Sequence, residues 1–512
     1  MGIPSYFNYI SNNYEKIFKQ KKDIHNIHDL YIDSNSIIYD VIKKRQEEKK
    51  EDISYTEIYK FVCEKIQSYI EAVNPSHKVY IAIDGVPPLA KVVQQQERRY
   101  RSSFLKDIIE DKSSFNTSCI TPGTTFMKDL NSYLVNYFCN DKIIISGSDT
   151  IGEGEHKIFS YIRDNYSREN NRNICIYGLD ADLIILSLQH IYLCNTIYLF
   201  RENPEYKNVL DHIYDKNELC YLNIPMLAND IYDKLSCDDT CDKKEIIEDY
   251  VFMSYFLGND FMPHFPSLNI RTHGIQVLLD TYKKLKKNKN FKFCSNSYIL
   301  WKNISLFVKE LQQEEEKRFI IETNYLVKVL HRGNVGNVEK KINFIPHENR
   351  DYERYINPKK YGWKKRYYEL LFGITTTNDI KKVCISYLEG LEWTHTYYTR
   401  GCKNYRWYYP YKYPPLLCDL YRVIPHFQCN LIKDNYQPLH EYTLLCYVLP
   451  SSSYDLLPKK IRDVIVNYDT IKNETFHFVW AYCRYFWESH LYGLDIRGIN
   501  EIERLLEYNS LI

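Results

Sequence analysis

Seven acidic residues stand where a strand would end, a helix begin or, for Asp260, an apolar helix end in a Gly-Asn-Asp turn: Asp33, Asp84, Glu153, Glu155, Asp180, Asp182 and Asp260. Seven carboxylates cannot share a crevice unless something offsets their repulsion. Hard divalent cations with oxygen ligands do this best, and Mg²⁺ keeps several waters while also binding phosphate oxygens. Two such ions about 4 Å apart activate a water and stabilise the leaving oxygen of a phosphodiester. The expected cofactor is a pair of Mg²⁺ ions, with Mn²⁺ as a substitute, and the expected chemistry is phosphodiester hydrolysis.

The stretch SGSDTIGEGEHK, Ser146 to Lys157, has the outline of a phosphate-binding loop but the wrong charge. The last glycine of a G-x-G-x-x-G fingerprint is replaced by Lys157, and the loop carries Asp149, Glu153 and Glu155. Such a turn holds cations, and the cations hold the phosphate. Asp149 is expected to be a turn former, because Glu153 and Glu155 supply the ligands without it. Any single aspartate after a strand is at least as readily a helix cap. The weight lies with the set.

A basic face follows Asp84 closely. On a helix, Lys91, Gln95, Arg98 and Arg99 fall at i, i+4, i+7 and i+8, one side of the cylinder. Forked arginine donors on one face suit a single phosphate, although most charged helix faces are merely solvated. Farther on, YYTRGCKNYRWYYPYKYPP interleaves aromatic and basic residues, a texture that suits stacking on bases. Most of these rings are expected in a core; Tyr405 and Trp407 are the candidates for base contacts.

These residues need a scaffold that brings them together. DLYID, KVYIAID, KIIISGSD and NICIYGLDAD each read as a buried strand, and the first three run into Asp33, Asp84 and Asp149, the last into Asp180. Amphipathic stretches such as YTEIYKFVCEKIQSYIEAV lie between them. That alternation predicts an α/β fold with a parallel sheet and crossover helices, whose ligands bind at the carboxyl ends of the strands. The texture changes near Thr281, where TYKKLKKNKNFKF reads as an exposed basic connection and KELQQEEEKRF as a charged helix. The division is placed there, residues 1–280 against 281–512.

Bulk properties narrow the class. A chain of 512 residues has room for about two to four domains. Its formal charge of +1 excludes a generally basic protein, so any anion-binding surface is a local patch. Fifteen cysteines, no C-x-x-C pair and no signal peptide point to a reducing compartment, the cytoplasm in the first instance. His212, Cys220, Cys237 and Cys241 could form a zinc site, but their spacing is irregular and ordinary thiols are the better reading. No apolar run approaches the roughly 18 residues of a membrane span.

Taken in order, GIPSYFNYI, YIDSNSIIY, IDGVPPLAKVVQQQERRYRS, ITPGTTFM, GEGEHKI, YGLDADLI and FLGNDFMPHFPSL resemble the first conserved region of the XRN family of 5′-to-3′ exoribonucleases. GWKKRYYE, LEGLEWTHTYYTRGCKNYRWYYPYKYPP and VLPSSSYDLLP resemble its second. The resemblance implies a PIN/FEN-like parallel sheet, with a mainly helical, aromatic-rich second region closing the active site. It implies processive removal of nucleoside monophosphates from single-stranded RNA with a 5′-monophosphate. Asp33, Asp84, Glu153, Glu155, Asp180, Asp182 and Asp260 match the family's metal-site acids, and Lys91, Gln95, Arg98 and Arg99 its 5′-phosphate pocket.

There are departures from the family pattern. Tyr39 stands where a histidine commonly stacks on a terminal base, and Tyr405 where another tryptophan is frequent. The chain stops at Ile512 without the long C-terminal extension of many eukaryotic members, which reads as a compact build. A structure-specific 5′ flap nuclease and a catalytically dead RNA-end binder are the rival readings. The second conserved region argues against the first, and the complete acidic set against the second.

Overall fold

The computed structural model describes residues 2–48, 53–109, 115–167, 169, 171–202, 219–238, 241–295, 298–328, 338–467, 475–494 and 498–512. Among them, β1 (Phe18–Lys19), β2 (Asp29–Asp33), β3 (Lys78–Ala82), β4 (Ile143–Ser146), β5 (Asn173–Tyr177), β6 (Thr196–Glu202) and β7 (Leu219–Asn223) form one sheet. Its order is β1-β7-β6-β5-β2-β3-β4. The five strands from β4 to β6 run parallel, and β7 and β1 add an antiparallel edge. From β2 the chain winds outward through β3 and β4, then returns to lay β5 and β6 on the other side. The crevice at the carboxyl ends of β2 and β5 is therefore the topological switch point, where ligands bind in such sheets.

Both faces of the sheet are buried, as β-branched runs demand. Leu30 and Ile32 of β2 point into one core with α2 (Asn35–Glu48) and α3 (Tyr55–Val73), while Tyr31 points into the opposite core. Helix α3 starts on a capping box between Ser54 and Glu57 and stops at Asn74, which adopts a left-handed φ of 52°. Its buried Ile58, Val62, Ile66, Tyr69 and Val73 make one stripe. Cutting Ile66 back to alanine would cost about 2–5 kcal/mol in such a core.

The predicted strands and the α3 stretch lie where expected, with small shifts that matter. β3 stops two residues before Asp84, β5 stops three before Asp180, and Asp182 opens the helix Asp182–His190. Asp84 and Asp180 thus sit on the turns beyond their strands, while Asp33 is the last residue of β2. Thr281 lies inside the helix Gly274–Lys286, and the segment after it is exposed at Lys283, Lys284, Lys287 and Lys289 but anchored between them. Tyr282, Phe291 and Phe293 are buried, and the ammonium of the nearly inaccessible Lys286 donates to the Phe291 carbonyl at 2.8 Å. The lysine run masked this apolar spacing. The charged stretch KELQQEEEKRF is divided between two helices, Trp301–Gln312 and Glu315–Lys328.

Part of the second half has a core of its own, around Phe319, Trp363, Tyr367 and Tyr482, and part shares a core with the first half. Tyr387, Leu391, Tyr397 and Tyr398, from the long helix Thr377–Arg400, belong to the hydrophobic cluster that also contains Tyr31, Ile174 and Ile176 of the sheet. No described helix is long and apolar enough to cross a membrane.

Candidate active site

The turn after β4 is built for close approach. Gly152 has φ +106°, and a β-carbon on Gly154 would fall 2.5 Å from Asp33 Oδ1, so only glycine lets this backbone reach the acids. Glu153 is the N-cap of the helix Gly154–Asn165. The Gly154 N–H, at the positive end of that helix, donates to Asp84 Oδ1 at 2.6 Å. Asn35 holds the other oxygen of Asp84 at 2.6 Å and accepts from the Asp84 N–H at 3.0 Å. Lys157 donates to the carbonyls of Ile83 and Gly147, tying the ends of β3 and β4 together. Asp149 is exposed on the turn, as expected of a turn former.

Asp260 arrives from a different element. The helix Lys243–Ser254 tightens into a short 3-10 turn and breaks at Gly258, whose φ is +80°. Asn259 then accepts the N–H groups of Phe261 and Met262, fixing the turn. Asp260 Oδ1 accepts from the Gly2 N–H at 3.0 Å, and Oδ2 accepts from Lys91 Nζ at 2.7 Å. Lys91 Nζ also lies 2.6 Å from Glu153 Oε2.

The acids sense one another. Burial, then Asp84 and Asp180, push Asp33 well above the usual carboxylate range. Burial and Glu153 do the same to Glu155, and burial and Asp260 push Asp182 up to about 7. Burial would raise Asp260 too, but Lys91 and Arg98 among the nearby cations together hold that carboxyl low. Asp33 Oδ1, Glu155 Oε2 and Asp182 Oδ1 are buried without a hydrogen-bond partner. Such oxygens are costly unless a cation meets them, so the donor set fits a hard metal ion. All seven predicted acids are thus brought into one electrostatic cluster, with Lys91 inside it.

The basic helix Leu89–Ile109 divides its predicted face. Lys91 is committed to the acids, and Gln95 is buried one helical turn farther on. Arg99 donates to Thr121 Oγ1 and, at 3.1 Å, to the Ile120 carbonyl. Arg98 is exposed and lines two cavities. One, of about 360 Å³, reaches Gly2 and Asp260. The other, of about 610 Å³, is lined by Tyr39, Arg98, Arg99, Arg101 and Lys106.

Of the two aromatic candidates, Trp407 is only 9% exposed and stacks on Trp393 at 5.1 Å, within the core. Tyr405 is half-buried, and its carbonyl accepts the Leu89 N–H at the start of the basic helix. Neither lines the two cavities. Trp487, 39% exposed, is the aromatic ring shared by both. The two tryptophans of WAYCRYFWESH, Trp480 and Trp487, carry no periodicity that would mark one of them for a cavity. His156 was also missed. Its ring nitrogens lie within 4.8 Å of carboxylate oxygens of Glu153 and Glu155, and the ring stacks on Tyr397 at 3.5 Å. Tyr397 in turn donates to Glu153 at 2.8 Å. This is the only such ligand group among the described residues. Cys220, Cys237 and Cys241 form none, and His212 lies outside the described residues.

An acid cluster at the switch point of a parallel sheet, roofed by a helical half, defines a nuclease-like architecture. The chain belongs to the XRN family: residues 1–203 match the XRN 5′-3′ exonuclease N-terminus, whose fold is PIN-like, and residues 240–328 and 337–474 match the Xrn1 helical domain. It is 25% identical to 5′-3′ exoribonuclease 1 of Saccharomyces cerevisiae, over 91% of this chain and 40% of that protein. It is 27% identical to human 5′-3′ exoribonuclease 1, over 92% of this chain and 32% of the relative. With 5′-3′ exoribonuclease 2 of Arabidopsis thaliana the identity is 26%, over 86% and 58% respectively. The chain therefore spans well under two thirds of the length of these curated relatives.

Proposed function

We propose that the protein is a processive exoribonuclease that degrades single-stranded RNA from a 5′-monophosphorylated end to nucleoside 5′-monophosphates. The observation that carries this reading is the helix Leu89–Ile109. It plants Lys91 among the acids and presents Arg98 to both cavities two turns later. Acid cluster and anion pocket are thus held at a fixed separation of about 10 Å along one axis.

Asp33, Asp84, Glu153, Glu155, Asp180, Asp182 and Asp260 would hold two Mg²⁺ ions. When bound, the ions supply an activated water and a stabilised leaving oxygen. The remaining work falls to the chain. Lys91 balances charge beside Glu153 and Asp260; Gln95, Arg98 and Arg99 receive the terminal phosphate; Tyr39 and Trp487 offer rings to the first bases. Residues 281–512 wall the crevice, so that RNA enters only by a free end. Each cleavage leaves a new 5′-phosphate beside the same pocket, and processivity follows. The fifteen thiols suit a reducing compartment, and we place the protein in the cytoplasm.

The test uses 3′-labelled linear RNA with 5′-phosphate or 5′-hydroxyl and a circular copy, each with Mg²⁺ or EDTA. The phosphorylated linear RNA should vanish without intermediate lengths, only with Mg²⁺, while the circle persists. Efficient cutting of the circle by intact protein would overturn the walled-crevice reading.

A further inference from the structure

The exposed ring of Trp487 rides on a loop between the hairpin strands His477–Val479 and His490–Tyr492. Charged groups from distant parts of the chain hold this loop. Glu353 accepts the Tyr482 N–H at 2.7 Å, Arg350 donates to the Cys483 carbonyl at 2.5 Å, and Arg101 donates to the Ser489 carbonyl. Tyr482 itself has φ +57°, a conformation costly outside glycine and retained here by those contacts.

Arg271 is distinct because it lies within cation–π range of the ring itself. Its guanidinium carbon lies 5.9 Å from the centroids of both Tyr485 and Trp487. Those two rings stand nearly parallel, 6.2 Å apart at 11°. Nη1 of Arg271 pairs with Glu488 Oε1 at 2.6 Å, and Nε donates to Ser5 Oγ at 2.7 Å. Glu488 also accepts the Arg484 N–H at 2.7 Å, which closes the loop on itself. Ser5 belongs to the segment whose Gly2 N–H reaches Asp260. One planar side chain therefore spans from the segment touching the acid cluster to the aromatic ring at the junction of the cavities. Arginine is suited to this, since it stacks on π-faces while its edge makes fixed hydrogen bonds.

We infer that Arg271 is a positioning residue that fixes the Trp487 ring relative to the acid cluster, and so sets where the first bases of the RNA lie. This rests on the reading of Trp487 as a stacking ring. Loss of Arg271 leaves the acids intact but frees the ring to sample other rotamers.

The experiment uses a 5′-phosphorylated RNA with 2-aminopurine as its second base, bound in EDTA so that no cleavage occurs. Stacking on the protein quenches its fluorescence. Wild type should quench and Trp487→Ala should not. Arg271→Ala and, as an independent variant, Glu488→Gln should lose most of the quenching. With Mg²⁺, Arg271→Ala should raise KM several-fold while kcat stays within about twofold, the signature of lost binding. Arg271→Lys should not restore the quenching, because an ammonium lacks the plane that stacks. Full quenching by Arg271→Ala, with none by Trp487→Ala, would overturn the positioning role. Full quenching by Trp487→Ala would instead remove the stacking reading beneath it. A fall in kcat with KM and quenching unchanged also counts against the inference.

Discussion

A methyl group on Gly2 would lie 2.1 Å from Asp182 Oδ1. The same glycine has φ +57° and donates its N–H to Asp260. The start of the described chain is thus packed into the acid cluster, and it tolerates no side chain there.

Gly2→Ala should therefore displace either the segment or Asp182. A left-handed non-glycine residue alone costs about 1–3 kcal/mol, and the contact with Asp182 adds to it. Turnover of 5′-phosphorylated RNA should fall about tenfold or more, with a small change in Tm. Unchanged turnover would mean that Asp182 does not need its present position.

Asp180→Asn combined with Asp182→Asn should abolish hydrolysis and leave RNA binding in EDTA largely intact. The stability effects of the two have opposite signs. Asp182 is pushed up to about 7 by burial and Asp260, so its ionised form destabilises the folded protein at neutral pH. In EDTA Asp182→Asn alone should melt at or above the wild-type Tm. Adding Asp180→Asn should lower it, because Asp180 is held below the usual carboxylate range and its charge stabilises the fold. In the double variant the stabilisation of wild type by added Mg²⁺ should be lost. Near wild-type release of mononucleotides by the folded variant would refute the assignment.

Arg98 and Lys91 should separate in their effects. Arg98→Ala should weaken kcat/KM on 5′-phosphorylated RNA by about 1.5–3 kcal/mol, the scale of a charge-assisted contact, and spare the slow attack on 5′-hydroxyl RNA. Lys91→Ala should impair both, because its ammonium also neutralises Glu153 and Asp260. Equal losses on both ends with Arg98→Ala would show that it does not read the phosphate.

Asp249 offers a pH test far from any metal. It accepts the Phe293 N–H at 2.7 Å and the Tyr282 hydroxyl at 2.8 Å, yet burial pushes it up to about 7. The folded state then binds this proton more tightly than the unfolded chain, whose carboxyl titrates near 3.9. Its contribution to stability is greatest at low pH and is lost as pH rises toward and through 7. Asp249→Asn mimics the protonated form, so its Tm advantage over wild type should be largest above pH 7 and close as pH falls to about 4. A gap independent of pH would refute the shift.

Much of the site was legible because its determinants are local. Asp33, Asp84 and Asp180 follow β-branched runs, and Gly152 and Gly154 mark the turn by themselves. The α3 stretch declares both its ends through Ser54, Glu57 and Asn74. What escaped depends on tertiary context. β6 and β7 pair antiparallel although the connection from Glu202 to Leu219 is far too long for hairpin spacing to reveal the pairing. Trp407 and Trp487 are the same residue type, and only packing decides that one is core and the other faces a cavity. The commitment of Lys91 to Glu153 and Asp260 depends on the fold, since helical spacing places it equally well with Arg98.

The hydrophobic cluster that runs from Ile3 through the sheet to Trp393 and Ile424 has a consequence for heredity. The half that holds the acids does not travel freely. Copied alone into another gene, residues 1–280 would bare Phe256, Phe261 and Phe265, whose rings pack on Phe307, Trp393, Tyr397 and Tyr387 of the second half, and such faces aggregate. Recombination within this architecture can lengthen or trim its rim. A crossover at the seam would uncover this contact in both halves.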